Sequence, residues 1–197
     1  MKKQLTFLSS IMAFMVLVAF TPISESDGFY RIDNKASKVN WVGSKITGSS
    51  HTGTVNIMEG GLQIANGAIS GGKFTIDMST ITVTDLDGGM KGKLESHLKN
   101  DDFFSVEKFK TANLAIISAT DDKIKGNLTI KGITNEVEFP YELTLTADGS
   151  LKATANIEVD RTKFDVRYGS DSFFDNLGDK AIDNTIKFDV ELVGKAG

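Results

Sequence analysis

From Phe29 to the end of the chain, apolar side chains recur at every second position. That spacing belongs to the extended strand, whose successive side chains leave on opposite faces, so each strand has one face for a core and one for water. Val39 and Trp41 alternate with Asn40, Val55 and Ile57 with Thr54 and Asn56, and Phe74, Ile76 and Met78 with Thr75 and Asp77. The second half is more regular: Leu114 and Ile116; Ile124, Leu128 and Ile130; Val137, Phe139, Tyr141, Leu143 and Leu145; Leu151, Ala153, Ala155, Ile157 and Val159; then Ile186, Phe188, Val190 and Leu192. Between the runs stand Asn66-Gly67, Gly71-Gly72, Asp121-Asp122, Lys131-Gly132 and Asp148-Gly149, turn dipeptides of which several reach positive φ at little cost. Connections this short force antiparallel neighbours, because a parallel return needs a crossover of about a dozen residues. About eight strands are expected, the number at which a sheet closes into a small barrel. The fold class is all-β, an eight-stranded antiparallel barrel in one domain.

One segment breaks the rhythm. Asp85 to Asn100 reads as an α-helix at the side or mouth of the barrel, with Met90, Leu94, His97 and Leu98 at helical spacing and Lys91, Lys93, Glu95 and Lys99 opposite. Asp87 suits its N-cap, and Gly88, Gly89 and Gly92 make it dependent on docking. Two aromatic pairs, Phe103-Phe104 and Phe173-Phe174, lie outside the strands. Pro140 sits inside the strongest strand pattern, where it cannot donate to a ladder, so an edge or bulge is expected there. At the other end, Lys2 and Lys3 precede an apolar run from Ile11 to Phe20 that Thr21-Pro22 ends. This is the layout of a secretory signal peptide over 1–26, cut somewhere from Phe20 to Ser26, which leaves a barrel domain over 27–197, periplasmic or secreted and without a membrane span.

The remaining chemistry is sparse. A net charge of -4 with three Arg offers no field for nucleic acid, and zero Cys removes thiol catalysis, disulfides and thiolate metal sites. Two His make a zinc site improbable, and the acidic run from Asp171 to Asp179 fails the calcium-loop spacing, so neither a metal nor a cofactor is expected. No nucleophile elbow or phosphate-cradling glycine loop occurs. His97, close in sequence to Asp101 and Asp102, reads either as a packed residue at the helix–barrel contact or as a general base. His51 reads as a surface turn residue.

One-faced alternation allows three interiors: side chains meeting across the middle, side chains lining a cavity, or the inverted barrel of an outer membrane with its apolar face to lipid. Small residues among large ones on the inner face (Gly43, Gly126, Ala153 and Ala155 among Trp41, Phe74, Phe139, Tyr141 and Phe188) favour the cavity, and the two Phe pairs suit a lid. Equally, those Phe serve as core that plugs the ends.

The order of several motifs resembles one family. Tyr30-Arg-Ile-Asp33, His97-Leu-Lys-Asn-Asp-Asp-Phe-Phe104, Glu107-Lys-Phe-Lys110, Gly126-Asn-Leu-Thr-Ile-Lys-Gly-Ile-Thr134 and Ile157-Glu-Val-Asp-Arg-Thr-Lys-Phe164 are similar to those of the YceI-like proteins. The resemblance implies a secreted, lipocalin-like, non-enzymatic barrel whose hydrophobic pore takes a polyisoprenoid or another long-chain amphiphilic lipid. The expected lining is Trp41, Phe74, Ile76, Phe139, Tyr141, Ile157 and Phe188, with Met90, Leu94, His97, Phe103 and Phe104 at the helix and entrance. The Arg161 to Arg167 segment is placed near a lipid headgroup. A solid interaction barrel and a lipid-modifying enzyme stand as the alternatives.

Overall fold

Two dipeptides set the hairpins around which the sheet winds. Asn66 and Gly67, with φ of 53° and 75°, join β3 (Ser50–Ala65) to β4 (Ala68–Val83). Lys131 and Gly132, with φ of 51° and 74°, join β6 (Lys123–Ile130) to β7 (Ile133–Leu145). Positive φ at both central positions gives the turn whose twist matches antiparallel strands. Around these lie β1 (Gly28–Ile32), β2 (Lys38–Lys45), β5 (Thr111–Ala119), β8 (Ser150–Asp160) and β9 (Ile182–Ala196). The structure is a computed structural model that describes residues 27–197; the expected signal segment, 1–26, lies outside the described residues.

All pairings are antiparallel, and the order from β2 through β3 to β9 returns to β2, which closes an eight-position barrel. Among the described residues, nine strands fill eight positions because β1 and β2 share one. Both pair with β3 on one side and β9 on the other, β1 at Gly61–Ile64 and Gly194–Ala196, β2 at Ser50–Thr54 and Ile182–Glu191. Between them the chain detours around Asp33, whose Oδ1 accepts the amides of Lys35 (2.9 Å) and Ala36 (3.1 Å). Side chains stitch the detour to both neighbours: Asn34 Nδ2 donates to Met58 O of β3 (3.0 Å), and Val193 N of β9 donates to Ser37 Oγ (2.9 Å).

The Gly71-Gly72 turn expected from sequence is not a turn. Both residues lie inside β4, facing Gln63 and Leu62, and a Cβ on Gly72 would crowd the Gly61 carbonyl and the Leu62 and Ile116 side chains. Glycine serves here for close approach of two strands, not for positive φ. Inward-facing positions carry the apolar residues, whereas the outer wall carries ion pairs such as Lys123–Glu138 (3.1 Å), Lys125–Glu136 (2.9 Å) and Lys187–Glu158 (3.2 Å). A wall of that kind does not face hydrocarbon, so the inverted, lipid-facing barrel is set aside.

The helix α1 (Gly88–Lys99) is shorter than the expected 85–100, and Asp87 occupies the N-cap position without a side-chain cap bond. It covers the upper part of β4, whose ladder to β5 stops at Asp77↔Thr111. Its contact is not the whole predicted stripe. Leu98 is buried and Leu94 partly so, but Met90 is 67% exposed. Glu95, assigned from sequence to the solvent side, instead faces β4, where its Oε1 accepts from Thr82 Oγ1 (2.7 Å) and Val83 N (2.9 Å). The weak helix is thus held by a carboxylate that satisfies a strand-edge amide, as well as by its leucines.

Pro140 does mark an edge. The β7–β8 ladder runs from Leu145↔Leu151 to Tyr141↔Ala155 and ends there, while β7 continues to Ile133 paired with β6 alone.

Candidate apolar binding cavity

The barrel is hollow. A cavity of about 200 Å³ runs inside it, space for a guest of roughly 13–20 water- or methylene-sized groups. Its walls are the inward positions of the strands, among them Trp41 and Gly43 of β2, Phe74 and Ile76 of β4, Phe139 and Tyr141 of β7, Ile157 of β8 and Phe188 of β9. Phe103 and Phe104, in the segment after α1, line it as well. These two rings pack edge-on, with centroids 5.0 Å apart, and both are buried. The expected entrance pair is therefore a plug, while its counterpart, Phe173 and Phe174, is exposed on the outer surface at 45% and 50%.

Small residues make the hollow. A Cβ added to Gly43 meets nothing within 4 Å, although the residue lines the cavity. Gly53, directly across from Trp41, works differently: a Cβ there would run into the indole ring and the Thr82 carbonyl. Its absence lets Trp41 lie against the wall, where Nε1 donates to Thr54 O (3.3 Å). Tyr30, Ile64 and Leu151 are buried but off the lining, and fill the barrel near the β3–β4 turn.

Arg161 closes the helical end. It begins the 3₁₀ turn Arg161–Phe164 and is 1% exposed. Its guanidinium donates to four carbonyl oxygens: Asp183 through Nε (2.9 Å), Val166 and Tyr168 through Nη1 (2.7 and 2.9 Å) and Ile182 through Nη2 (3.0 Å). Burial pushes its pKa down from the usual range, while the charges of Asp160, Asp183 and Asp171 act the other way. Its Cζ also lies 5.7 Å from the centre of the Phe103 ring. With four of five donors committed, Arg161 is a clamp that ties the chain after β8 to the start of β9, not a group free for a headgroup. Arg167, its exposed companion, pairs with Asp165 (2.8 Å) and stacks over Phe173 at 4.6 Å. Nothing in the sequence marks Arg161 as buried; two of the converging carbonyls, of Val166 and Tyr168, follow it closely in the chain, and the other two come from the start of β9.

His97 is packed between two aromatic rings. Its ring meets Tyr168 and Phe103 edge-on at 4.3 and 5.7 Å, its Nδ1 is 3.5 Å from Asn100 Nδ2, and its Nε2 is buried without a hydrogen-bond partner. Asp101, the expected acid partner, turns to Lys108 (2.7 Å). His97 packs on Phe103 of the plug and Leu94 is partly buried against the core, but neither is on the cavity wall, nor is the exposed Met90. His51 caps a corner through Asp85 Oδ2 (2.8 Å).

Glu95 gives this end a pH dependence. The hydrogen bonds from Thr82 and Val83, and the charges of Lys91 and Lys99, hold its carboxyl below the usual range despite some burial. A carboxyl so depressed adds stability above its unfolded pKa, near 4.3, which is lost as pH falls through the lower folded value. The melting temperatures of the wild type and Glu95→Gln are therefore expected to differ by a few degrees at pH 6 and to converge as the pH falls through the lowered folded value.

Residues 30–194 match the model of the YceI-like domain. The chain belongs to the YceI-like family. Among curated proteins it is similar to UPF0312 proteins of Staphylococcus aureus: 46% identity over 48 residues (24% of this chain, 28% of the relative) for strain RF122, and 41% over 71 residues (34% and 42%) for strain N315. The chain thus spans less than half the length of these relatives. The YceI-like barrel also superposes on BcnA of Burkholderia cenocepacia, with a TM-score of 0.65, 19% identity, and coverage of 82% of this chain and 98% of that one. A polyisoprenoid binding domain from Saccharophagus degradans gives a TM-score of 0.66 and 15% identity, covering 85% and 98%. At these identities the two structures establish the fold. No helix among the described residues of this YceI-like chain is long and apolar enough to cross a membrane.

Proposed function

We propose that this barrel binds, and carries outside the cytoplasm, an isoprenoid or similar long-chain amphiphile. The observation that carries the reading is a hollow walled by apolar side chains in which Gly43 leaves open space. The name of the Saccharophagus relative, a polyisoprenoid binding domain, supports the choice of guest, and the charged start and apolar run of the first twenty residues support export. Each buried methylene contributes about 0.8 kcal/mol, so some ten of them supply roughly 8 kcal/mol before the cost of association. Shape and length then select the guest more than polar contacts do.

Native mass spectrometry of gently purified protein, followed by titration with geranylgeraniol, tests this. A bound lipid of defined mass is expected. So is a rise in melting temperature of about 5–10 °C when free ligand reaches about 100 times Kd, the shift that linkage of about 2.7 kcal/mol gives a domain of this size. Trp41, the single tryptophan, reports occupancy through its emission. Empty protein with no thermal or fluorescence response to the alcohol overturns the proposal.

A further inference from the structure

We infer that the guest passes through the side of the barrel, between the upper halves of β7 and β8, at a seam that its own charges keep unzipped. The inference rests on the binding function proposed above.

Above Tyr141↔Ala155 the two strands part. Continuing the same register would set Glu138 against Glu158 and Glu136 against Asp160, all four on the outer face. Like charges directly opposite one another destabilise a strand pair, and Pro140 at the fork lacks the N–H that the next rung requires. The carboxylates are drawn away from the seam instead. Glu138 and Glu136 pair with Lys123 and Lys125 of β6, Glu158 pairs with Lys187 of β9, and Asp160 accepts from Thr162 N (3.0 Å). A cleft follows the seam, with Asn135, Glu136, Val137 and Glu138 on one bank and Glu158, Val159 and Asp160 on the other, and Lys163 and the buried Phe164 of the 3₁₀ turn complete its lining. Val159 lines both this cleft and the central cavity.

Elsewhere the lapses in the wall are covered: Asn34 and Ser37 bridge the gap between β1 and β2, and Glu95 of α1 takes the edge amide of β4. Across the seam, the side-chain hydrogen bonds among the described residues lie toward its upper rim, from Asn135 Nδ2 to Lys163 O (2.9 Å) and from Lys131 Nζ to Asp165 O (2.7 Å). Both ends of the barrel are filled, one by Phe103, Phe104 and Arg161, the other by Tyr30, Ile64 and Leu151. A slender chain therefore finds its shortest path past Val137 and Val159, where no ladder bonds have to break.

The chain has no cysteine, so paired Cys substitutions accept a short bis-maleimide cross-linker at one place only. Glu138→Cys with Glu158→Cys spans the seam at exposed positions. Thr144→Cys with Lys152→Cys, a facing pair in the laddered half of the same strands, is the control. Retinol, an isoprenoid alcohol that quenches tryptophan by energy transfer, is followed by stopped flow through Trp41. Cross-linking the seam is expected to slow both association and release about tenfold or more, with equilibrium affinity within about twofold, as for a gate outside the binding site. The control cross-link leaves the rates unchanged. Unchanged exchange through the locked seam, or equal slowing by the control, overturns the inference while the binding function stands. Failure of retinol to bind any form overturns that function, and the inference with it.

Discussion

Gly43→Phe is expected to abolish ligand binding and leave the barrel intact. The Cβ meets nothing within 4 Å, and the backbone there needs no positive φ, so the side chain starts into the hollow without a clash at its base. It fills the volume of roughly six methylenes, and at about 0.8 kcal/mol for each one excluded the guest loses more than enough affinity for a hundredfold weaker Kd. The added apolar contacts keep the melting temperature at or above that of the wild type. Titration with geranylgeraniol, read by Trp41 emission, and a thermal melt without ligand check both halves. Wild-type affinity in a folded Gly43→Phe variant would place the guest elsewhere.

Arg161→Met is expected to have the largest effect on stability. It removes the donor from four carbonyl oxygens, that of Val166 fully buried and the other three partly so, at a cost of about 3–5 kcal/mol, or roughly 6–20 °C in melting temperature for a domain of this size. Arg161→Lys recovers little, because an ammonium has three donors on a shorter reach and cannot fan out to four acceptors. The loss also releases the aromatic plug, since Phe103 rests on the guanidinium and His97 rests on Phe103. Exposure of apolar surface to a reporter dye before global unfolding is the accompanying sign.

What the sequence revealed and what it concealed divide along one line. Alternation is a local property, so the strands, their antiparallel order and most of the cavity wall were legible, Trp41, Phe74, Phe139 and Phe188 among them. The turns at Asn66-Gly67 and Lys131-Gly132 were equally plain. Gly71-Gly72 looked the same on paper and proved to be strand, because a glycine needed for its φ and one needed for its missing Cβ are spelled alike. The helix shows the limit of periodicity: it names a stripe but not which part of the stripe reaches the barrel, so Met90 was overvalued and Glu95 missed. Arg161 was hidden most completely, since its acceptors are backbone oxygens that carry no side-chain signature. Pro140 was the exception among long-range features, because a missing N–H limits pairing whatever surrounds it.

The closure of the ring has a kinetic corollary. Trp41 meets Phe188, and Tyr30 meets Ala196, so the first strands are completed by the last. Until β9 has been synthesised, β2 and β8 each present a bare hydrogen-bonding edge, and no partial product can seal the hydrocarbon compartment. Contacts so far apart in sequence are the slowest to form, and the barrel should therefore stay loose until β9 is free to pair, a condition under which holding chaperones have the most to bind.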